Sequence, residues 1–327
     1  FGSRLAFERA GFVPGSSCSV AMAKTEQDPW PGWESLPRPS TAIGEDGLSA
    51  CARDLVRAAM LEERGEGGFH ELLMRTVCDL VDRQFGKRSA SSLHRIKPLI
   101  EAFGFDNSFA TNVPGKGQRR LVNYVEGLEP EQPFHDPADF PWCAALAERT
   151  AEIRSELREQ RRPASEWASA PPGTWGTMDA PEWRALGLVQ AGEWVVEEGR
   201  FPETRAVLNS LPGLVPDEVM FARMPPGTKI GPHSDNMNFL LVAHLGLELE
   251  EGSCTLRVGD ASRSWAEGKV LIFDHTYVHS AANESSRQDR DVLICRFWHP
   301  GLTAVERYAL QLLIQIMAAM QRQGPQP

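Results

Sequence analysis

Two histidines and one aspartate in the C-terminal half of the chain could share a metal ion. His233 follows the Pro/Gly-rich turn PPGTKIGP, Asp235 comes two residues later, and His279 lies 46 residues beyond His233 in the stretch FDHTYVH. Side chains two apart in an extended strand point to the same side, so His233 and Asp235 can reach one ion, with His279 as a third ligand. Two histidines and a carboxylate leave three positions of an octahedral iron(II) ion open. The same residues also fit a simpler interpretation, in which both histidines lie in turns and Asp235 forms an Asx turn.

The elements that would position these residues are strands, which begin after residue 214. They are DEVMFARM, NFLLVAHLGLEL, SCTLRVG, SRSW, KVLIFD, VHSAA and DVLICRFW, separated by Gly, Asn, Asp or Pro. Short apolar runs with frequent turn signals are typical of an antiparallel sandwich or barrel. We therefore predict a mainly β fold with flanking helices, in which a jelly-roll core carries the site. The tail TAVERYALQLLIQIMAAMQR starts with a capping box and predicts a C-terminal helix.

The N-terminal part of the chain predicts a different organisation. Residues 1–46 are expected to form a flexible lead-in, residues 47–104 a helical segment, and residues 105–327 the jelly-roll domain with its C-terminal helix. Within the last of these, CAALAERTAEIRSELREQRR predicts one helix. The proline-rich stretch from 163 to about 190 predicts a loop.

Charge and cysteine content exclude several classes of protein. A formal net charge of −10 argues against nucleic acid as a partner, because duplex binding needs a clustered positive surface. No apolar run approaches the length of a transmembrane helix. The six cysteines form no CxxC pair, which favours neither a zinc ribbon nor a disulfide framework. We expect a soluble protein of the cytoplasm or an organelle stroma. Residues 1–24 are basic and rich in serine, which is typical of a trimmed transit segment and equally of an arbitrary chain boundary.

The motifs PGT, HLGL, WAEGKVLIFD and WHP follow one another in order around these three residues. In this combination the chain resembles the aspartyl/asparaginyl β-hydroxylase family, densely from about 216 to 307. The resemblance implies a double-stranded β-helix (jelly-roll) core and a dioxygenase that uses Fe(II) and 2-oxoglutarate as cosubstrate. It also implies that His233 and His279 bind the metal. Animal members of the family have glycine at the position of Asp235, whereas Asp235 completes a full triad here.

The resemblance also assigns residues to the cosubstrate. His244 matches a family histidine near 2-oxoglutarate, and Arg290 matches the strand arginine that pairs with its distal carboxylate. Other interpretations stay open: His244 as a satisfied core histidine, and Arg290 as a solvated strand charge with Arg287 or Arg296 taking the anion. Asp274 either orients a metal ligand or caps a turn.

Two departures from the family bear on the substrate. Leu240 and Val242 stand where animal members carry two arginines that hold acidic carboxylates, so we expect aliphatic groups to face the iron. We therefore expect hydroxylation of an unactivated C–H bond in a small-molecule or lipid-type substrate. A protein aspartyl or asparaginyl β-hydroxylase is the first alternative. A non-enzymatic, cupin-like metal-binding or sensing module is the second.

Overall fold

The computed structural model describes residues 48–61, 66–102, 123–128, 132–159, 167–169, 183–190, 192–235 and 237–323. The lead-in predicted over residues 1–46, including the basic stretch 1–24, lies outside the described residues.

Twelve strands form among the described residues. They are β1 (Phe134–His135), β2 (Ala168–Ser169), β3 (Arg184–Gln190), β4 (Glu193–Trp194), β5 (Leu214–Met224), β6 (Lys229–His233), β7 (Leu240–Glu248), β8 (Cys254–Val258), β9 (Ala261–Ser264), β10 (Val270–Phe273), β11 (His279–Asn283) and β12 (Arg290–Trp298).

Seven α-helices flank these strands in the described part of the chain. They are α1 (Leu48–Leu61), α2 (Glu66–Phe85), α3 (Lys97–Ala102), α4 (Trp142–Glu148), α5 (Thr150–Glu159), α6 (Pro202–Ser210) and α7 (Ala304–Gln323), with a 3-10 helix over Ser89–Arg95 between α2 and α3. Of these helices, none combines the length and apolarity that a membrane span requires.

The strands build two antiparallel sheets whose order identifies the fold. The larger sheet runs β1-β10-β7-β12-β5-β3-β2, with β4 paired to β3, and the smaller runs β6-β11-β8-β9. From β5 to β12 the chain moves repeatedly from one sheet to the other, so that sequence neighbours face each other across the core. This is the jelly-roll arrangement, and it confirms the predicted fold class.

Three buried clusters hold the layers together, and β7 contacts all of them. Leu241, Ala243 and Leu245 face the cluster that covers the outer side of the larger sheet beneath α4, α5 and α6. Val242 faces the cluster between the two sheets. Leu240, at the start of the strand, packs in a third cluster with α1, α2, α3 and α7. Because side chains alternate between the two faces of a strand, neighbouring residues of β7 pack in different clusters.

Two local features explain the geometry of individual elements. The Thr303 and Glu306 pair forms the predicted reciprocal capping box at the start of α7, with Thr303 N donating to Glu306 Oε2 at 2.9 Å and Glu306 N to Thr303 Oγ1 at 3.2 Å. Gly246 of HLGL has no room for a side chain, because a Cβ there would lie 2.2 Å from the carbonyl oxygen of Ala266.

Three of the sequence predictions about secondary structure are wrong. The helix predicted from CAALAERTAEIRSELREQRR is broken at Arg149, whose ψ of 10° ends α4 before α5 begins. The loop predicted up to residue 190 contains β3, which pairs with β5 over Arg184–Gln190. The stretch PPGTKIGP, predicted as a turn, contains the start of β6. For β3, pairing with β5 overrides the local pattern, whereas the break at Arg149 is closed by local bonds from its N–H to the carbonyls of Leu146 and Ala147.

Candidate metal centre and its cavity

His233 and His279 face each other across the smaller sheet. They are direct register partners of β6 and β11, and their ring centroids are 4.2 Å apart. Each ring uses Nδ1 to contact a backbone carbonyl at 2.9 Å, that of Gly231 for His233 and that of Tyr277 for His279. Because a carbonyl only accepts, Nδ1 carries the proton, and the lone pair of Nε2 is left free for a metal.

Asp235 lies beside this pair. Among the described residues, His233, Asp235 and His279 form the one group of side chains arranged to hold a metal, and their ligand atoms all lie within 4.8 Å of one another. Small side-chain rotations bring such atoms onto one ion. Burial lowers the pKa of His279 to about 4, so this ring is neutral and able to bind a metal at neutral pH.

His275 fixes the orientation of Asp235. Its Nδ1 lies 2.8 Å from Asp235 Oδ2, its Nε2 lies 2.8 Å from the carbonyl oxygen of Met237, and its own carbonyl accepts from the Asp235 backbone N–H at 2.9 Å. Burial acts to raise the pKa of Asp235, but the hydrogen bond from His275 and the nearby positive charges lower it below its usual range. Asp235 is therefore an ionised carboxylate held by a buried imidazole.

Asp274 has the turn-capping role that the sequence left open. Its Oδ1 accepts from the backbone N–H of Thr276 at 2.8 Å and from the Thr276 hydroxyl at 2.5 Å. This Asx-type cap shapes the turn from β10 to β11, and in doing so presents both His275 and His279. The side chain that orients Asp235 is thus His275, whereas Asp274 caps the turn.

The three residues open onto a cavity of about 100 Å³ between the two sheets. The polar groups that line it are His233, Asp235, His275, His279, His244, Arg290, Glu218 and Arg296. The apolar groups are Trp183, Met220, Ile230, Val242, Leu256, Phe273, Ala281 and Ile294. A cavity that combines apolar walls with convergent polar groups is the usual form of a ligand site.

Two buried side chains in this cavity carry polar atoms for which the described part of the chain provides no partner. Arg290 is 1% exposed, its Nε has no hydrogen-bond partner, and no carboxylate of the described residues lies within ion-pair distance of it. Its guanidinium lies 4.5 Å from the ring centroid of Trp265. The Nδ1 atom of His244 is also without a partner, and this ring stacks on Trp265 at 5.8 Å. A buried unpaired guanidinium is costly, so this end of the cavity fits an anion.

The pKa values keep these two groups in complementary states. Burial lowers the pKa of Arg290 to about 10, and Cys254 and Asp291 partly oppose this effect. Arg290 therefore stays cationic at neutral pH. Burial and the charge of Arg290 hold the pKa of His244 well below its ordinary value, so that ring is neutral.

The alternatives to Arg290 are already paired. Arg287 is exposed and contacts Glu250 at 2.9 Å. Arg296 lies in the cavity, but it pairs with Asp217 at 3.0 Å and with Glu218 at 2.9 Å. The expectation that Leu240 faces the site is wrong, because Leu240 packs among the helices instead. Val242 does line the cavity, and Arg296 is its register partner on the next strand.

Sequence reasoning missed His275 and Glu218. The signal for His275 was present, since a second histidine precedes His279 in FDHTYVH, but its contact with Asp235 depends on the capped turn. Glu218 gave no signal of its own, because a single acidic residue within a strand is common.

The chain is similar to one known protein family and to several of its members. The aspartyl/asparaginyl beta-hydroxylase family model matches residues 147–300. Aspartate beta-hydroxylase domain-containing protein 2 of Xenopus tropicalis is 32% identical over 277 residues, covering 81% of this chain and 70% of the relative. The human protein of the same name is 36% identical over 151 residues, covering 43% of this chain and 41% of the relative. The match therefore spans less than half of the human protein.

A bacterial relative and a solved structure extend the comparison. The ornithine lipid ester-linked acyl 2-hydroxylase of Rhizobium tropici is 33% identical over 178 residues, covering 51% of this chain and 61% of the relative. A prolyl-4-hydroxylase crystal structure from Pseudomonas putida is 18% identical with a TM-score of 0.31, covering 48% of this chain and 98% of that one. The fold class rests on the strand order itself. With a Xenopus relative matched over most of both chains, this chain belongs to the aspartyl/asparaginyl β-hydroxylase family of hydroxylases.

Proposed function

We propose that the chain is a dioxygenase that uses Fe(II) and 2-oxoglutarate to hydroxylate an unactivated C–H bond of a small-molecule or lipid-type substrate. The observation that carries this proposal is that a candidate metal site and a candidate anion site line the same cavity. Three candidate ligands have their ligand atoms within 4.8 Å of one another, and the buried Arg290 guanidinium lacks a carboxylate partner among the described residues.

The proposed metal ligands are His233, Asp235 and His279. Both imidazoles donate from Nδ1 to backbone carbonyls, which aims Nε2 toward the ion and fixes the tautomer. His275 holds one oxygen of Asp235 and leaves the other for the ion. Two imidazoles and one carboxylate form the ligand set that suits non-haem Fe(II) and leaves open positions.

The proposed cosubstrate site is at His244 and Arg290. Arg290 would receive the distal carboxylate of 2-oxoglutarate, which would satisfy its unpartnered Nε. His244, being neutral, would donate a hydrogen bond without repelling Arg290. Bound iron(II), with 2-oxoglutarate and O₂, supplies the oxidising power that hydroxylates an aliphatic C–H bond. The aromatic and aliphatic lining of the cavity excludes water from that reaction.

Two observations support a small-molecule or lipid-type substrate over an acidic protein side chain. Val242 brings an aliphatic group to the cavity, and the guanidinium beside it on β12, that of Arg296, is already matched by Asp217 and Glu218. The Rhizobium relative, named as acting on ornithine lipid, is consistent with such a substrate.

The proposal can be tested by supplying the full chain with Fe(II), 2-oxoglutarate, ascorbate and O₂ and measuring succinate. We expect succinate above the background of an enzyme-free reaction, and its loss in His279→Ala. A candidate panel of lipids and small molecules, analysed by mass spectrometry for a gain of one oxygen, then identifies the substrate. Metal binding without succinate would contradict the proposal and favour a binding or sensing module.

A further inference from the structure

The two ends of the candidate cavity carry net charges of opposite sign. Arg290 and Arg296 both line it from β12, and six residues of extended strand separate them by roughly 20 Å along the backbone. Arg290 has no carboxylate partner among the described residues. Arg296 has two, Asp217 at 3.0 Å and Glu218 at 2.9 Å. One end thus carries an excess positive charge, and the other an excess of carboxylate.

Of the two carboxylates that pair with Arg296, Glu218 is the one that faces the cavity. It lines the cavity together with Arg296, whereas Asp217 does not. Its Oε2 contacts Arg296, and the described residues place no other hydrogen-bond donor on its carboxylate. Its side chain keeps 20% of its surface exposed. One carboxylate oxygen is therefore available to a ligand in the cavity.

The surroundings of Glu218 favour a cation as that ligand. Trp183 is buried and lines the same cavity, and an indole face attracts an ammonium group. Aliphatic side chains, including Met220 and Ile230, complete the lining. Burial raises the pKa of Glu218 to about 7, although Arg296 acts to lower it. The carboxylate is therefore mostly ionised in mildly alkaline solution, where an alkylamine is still protonated.

We infer that Glu218 is a specificity-determining residue, which binds an amino group on an aliphatic substrate at the end of the cavity opposite Arg290. A substrate carboxylate there would meet the excess carboxylate of Glu218 and Asp217, and burying such a charge without a partner is costly. This inference rests on the proposed function, since it names the substrate class of the same site.

The test is calorimetric titration of the full chain, loaded with Zn(II) and 2-oxoglutarate, with n-hexylamine and with hexanoate at pH 8. Zn(II) prevents turnover, so the readout is binding alone. We expect n-hexylamine to bind at least about tenfold more tightly than hexanoate, the range of a charge-assisted hydrogen bond. Glu218→Gln should lower the amine affinity by about the same factor and leave hexanoate unchanged or improved.

The matched control is Glu248→Gln. Glu248 also pairs with an arginine, also keeps 20% of its side chain exposed, and lies outside the cavity lining, so this variant should keep the amine preference. If the amine binds the metal directly, its affinity should be unchanged in Glu218→Gln. A loss of amine affinity in this variant therefore reports binding to Glu218. Glu218→Asp should keep the preference, because it retains the carboxylate.

Equal or tighter binding of hexanoate to the wild type overturns the inference, and so does full amine affinity in Glu218→Gln. If the Gln variant fails to fold, the ranking of the two ligands by the metal-free wild type, in which no metal can bind the amine, still decides. If the wild type shows no preference for the amine but forms succinate normally, only this inference is refuted. A retained preference without succinate formation refutes the proposed function instead.

Discussion

At the scale of single residues, the candidate centre depends on hydrogen bonds that orient each side chain before any metal arrives. His233 and His279 are held by backbone carbonyls. Asp235 is held by His275, a side chain that is 1% exposed and bonded at both ring nitrogens. Because a second hydrogen bond to a ligand usually stabilises metal binding, His275 should be a positioning residue for Asp235.

The first prediction concerns metal affinity. His275→Ala should weaken Zn(II) or Co(II) binding by about 10- to 100-fold, as removal of such outer partners does. Asp235→Ala should weaken it further, because that change removes a charged ligand. Calorimetry measures both affinities, and the visible spectrum of bound Co(II) reports the ligand geometry. The exposed His94 supplies the control His94→Ala. Unaltered affinity and spectrum in His275→Ala would contradict the positioning role.

The second prediction compares two arginines near the start of β12. Arg290→Ala should raise the KM for 2-oxoglutarate more than about tenfold, because truncating one partner of a buried charge pair costs on the order of 2–5 kcal/mol. Metal affinity should change little. Arg287→Ala is the control, since Arg287 is exposed and pairs with Glu250. Steady-state succinate formation measures both, and an equal KM in the two variants would remove Arg290 from the cosubstrate site.

At the scale of secondary-structure elements, backbone packing sets the position of β7, which carries His244 and Val242. Gly246 is close to the turn before β10, where its N–H donates to Lys269 at 3.0 Å and its carbonyl accepts from Gly268 at 2.9 Å. A Cβ at this position would come within 2.2 Å of the Ala266 carbonyl oxygen. The strand must therefore approach that turn closely, which only glycine permits.

The third prediction follows from this close approach. Gly246→Ala should lower the free energy of unfolding by about 1–3 kcal/mol or more, because overpacking against backbone cannot be relieved by a side-chain rotation. Gly231→Ala in β6 is the matched control, since nothing lies within 4 Å of its Cβ position. Urea denaturation of both variants measures the difference. Equal stability would show that the β7 backbone shifts at no cost.

The sequence predicted some elements well and others poorly, for identifiable reasons. Seven of the eight strands from β5 to β12 could be predicted, because apolar runs and turn residues are local signals. The exception is β6, since the Pro and Gly residues of PPGTKIGP indicate a turn. The strand β3 could not be predicted, because it depends on pairing with the distant strand β5. The break at Arg149 interrupts a continuous helical pattern that carries no Gly or Pro to mark it. The spacing of His233, Asp235 and His279 suggested the site, whereas the contact of His275 with Asp235 requires the exact turn that Asp274 caps.

At the scale of the whole molecule, the helices and the jelly roll share one buried cluster. Phe239 and Trp298 from the jelly roll pack in it with α1, α2, α3 and α7. Asn238 adds a polar link, donating to the Val125 carbonyl and accepting from the Val125 N–H, both at 2.8 Å. These contacts surround the segment that leads from Asp235 into β7. Stability of the helical layer and geometry of the candidate centre should therefore be coupled.

The fourth prediction concerns acid stability at this junction. Burial, together with His135 and Arg95, lowers the pKa of His299 to about 4, and burial also lowers the pKa of His135. A histidine whose folded pKa lies below its unfolded value of about 6.5 favours the neutral form in the fold. Its contribution to stability is therefore complete above about pH 6.5 and is lost as the pH falls toward 4.

Glu218, with its raised pKa, acts in the opposite direction, so the wild-type profile alone does not isolate His299. The comparison with His299→Gln does, because glutamine does not titrate. Between pH 6.5 and 4 the wild type should lose about 2–3 kcal/mol more unfolding free energy than this variant, which corresponds to the shift in the pKa of His299. Urea denaturation at a series of pH values measures the difference, with His94→Gln as an exposed control. Parallel profiles for the wild type and His299→Gln would show that His299 has the same pKa in the folded and unfolded protein, and that this junction does not govern acid unfolding.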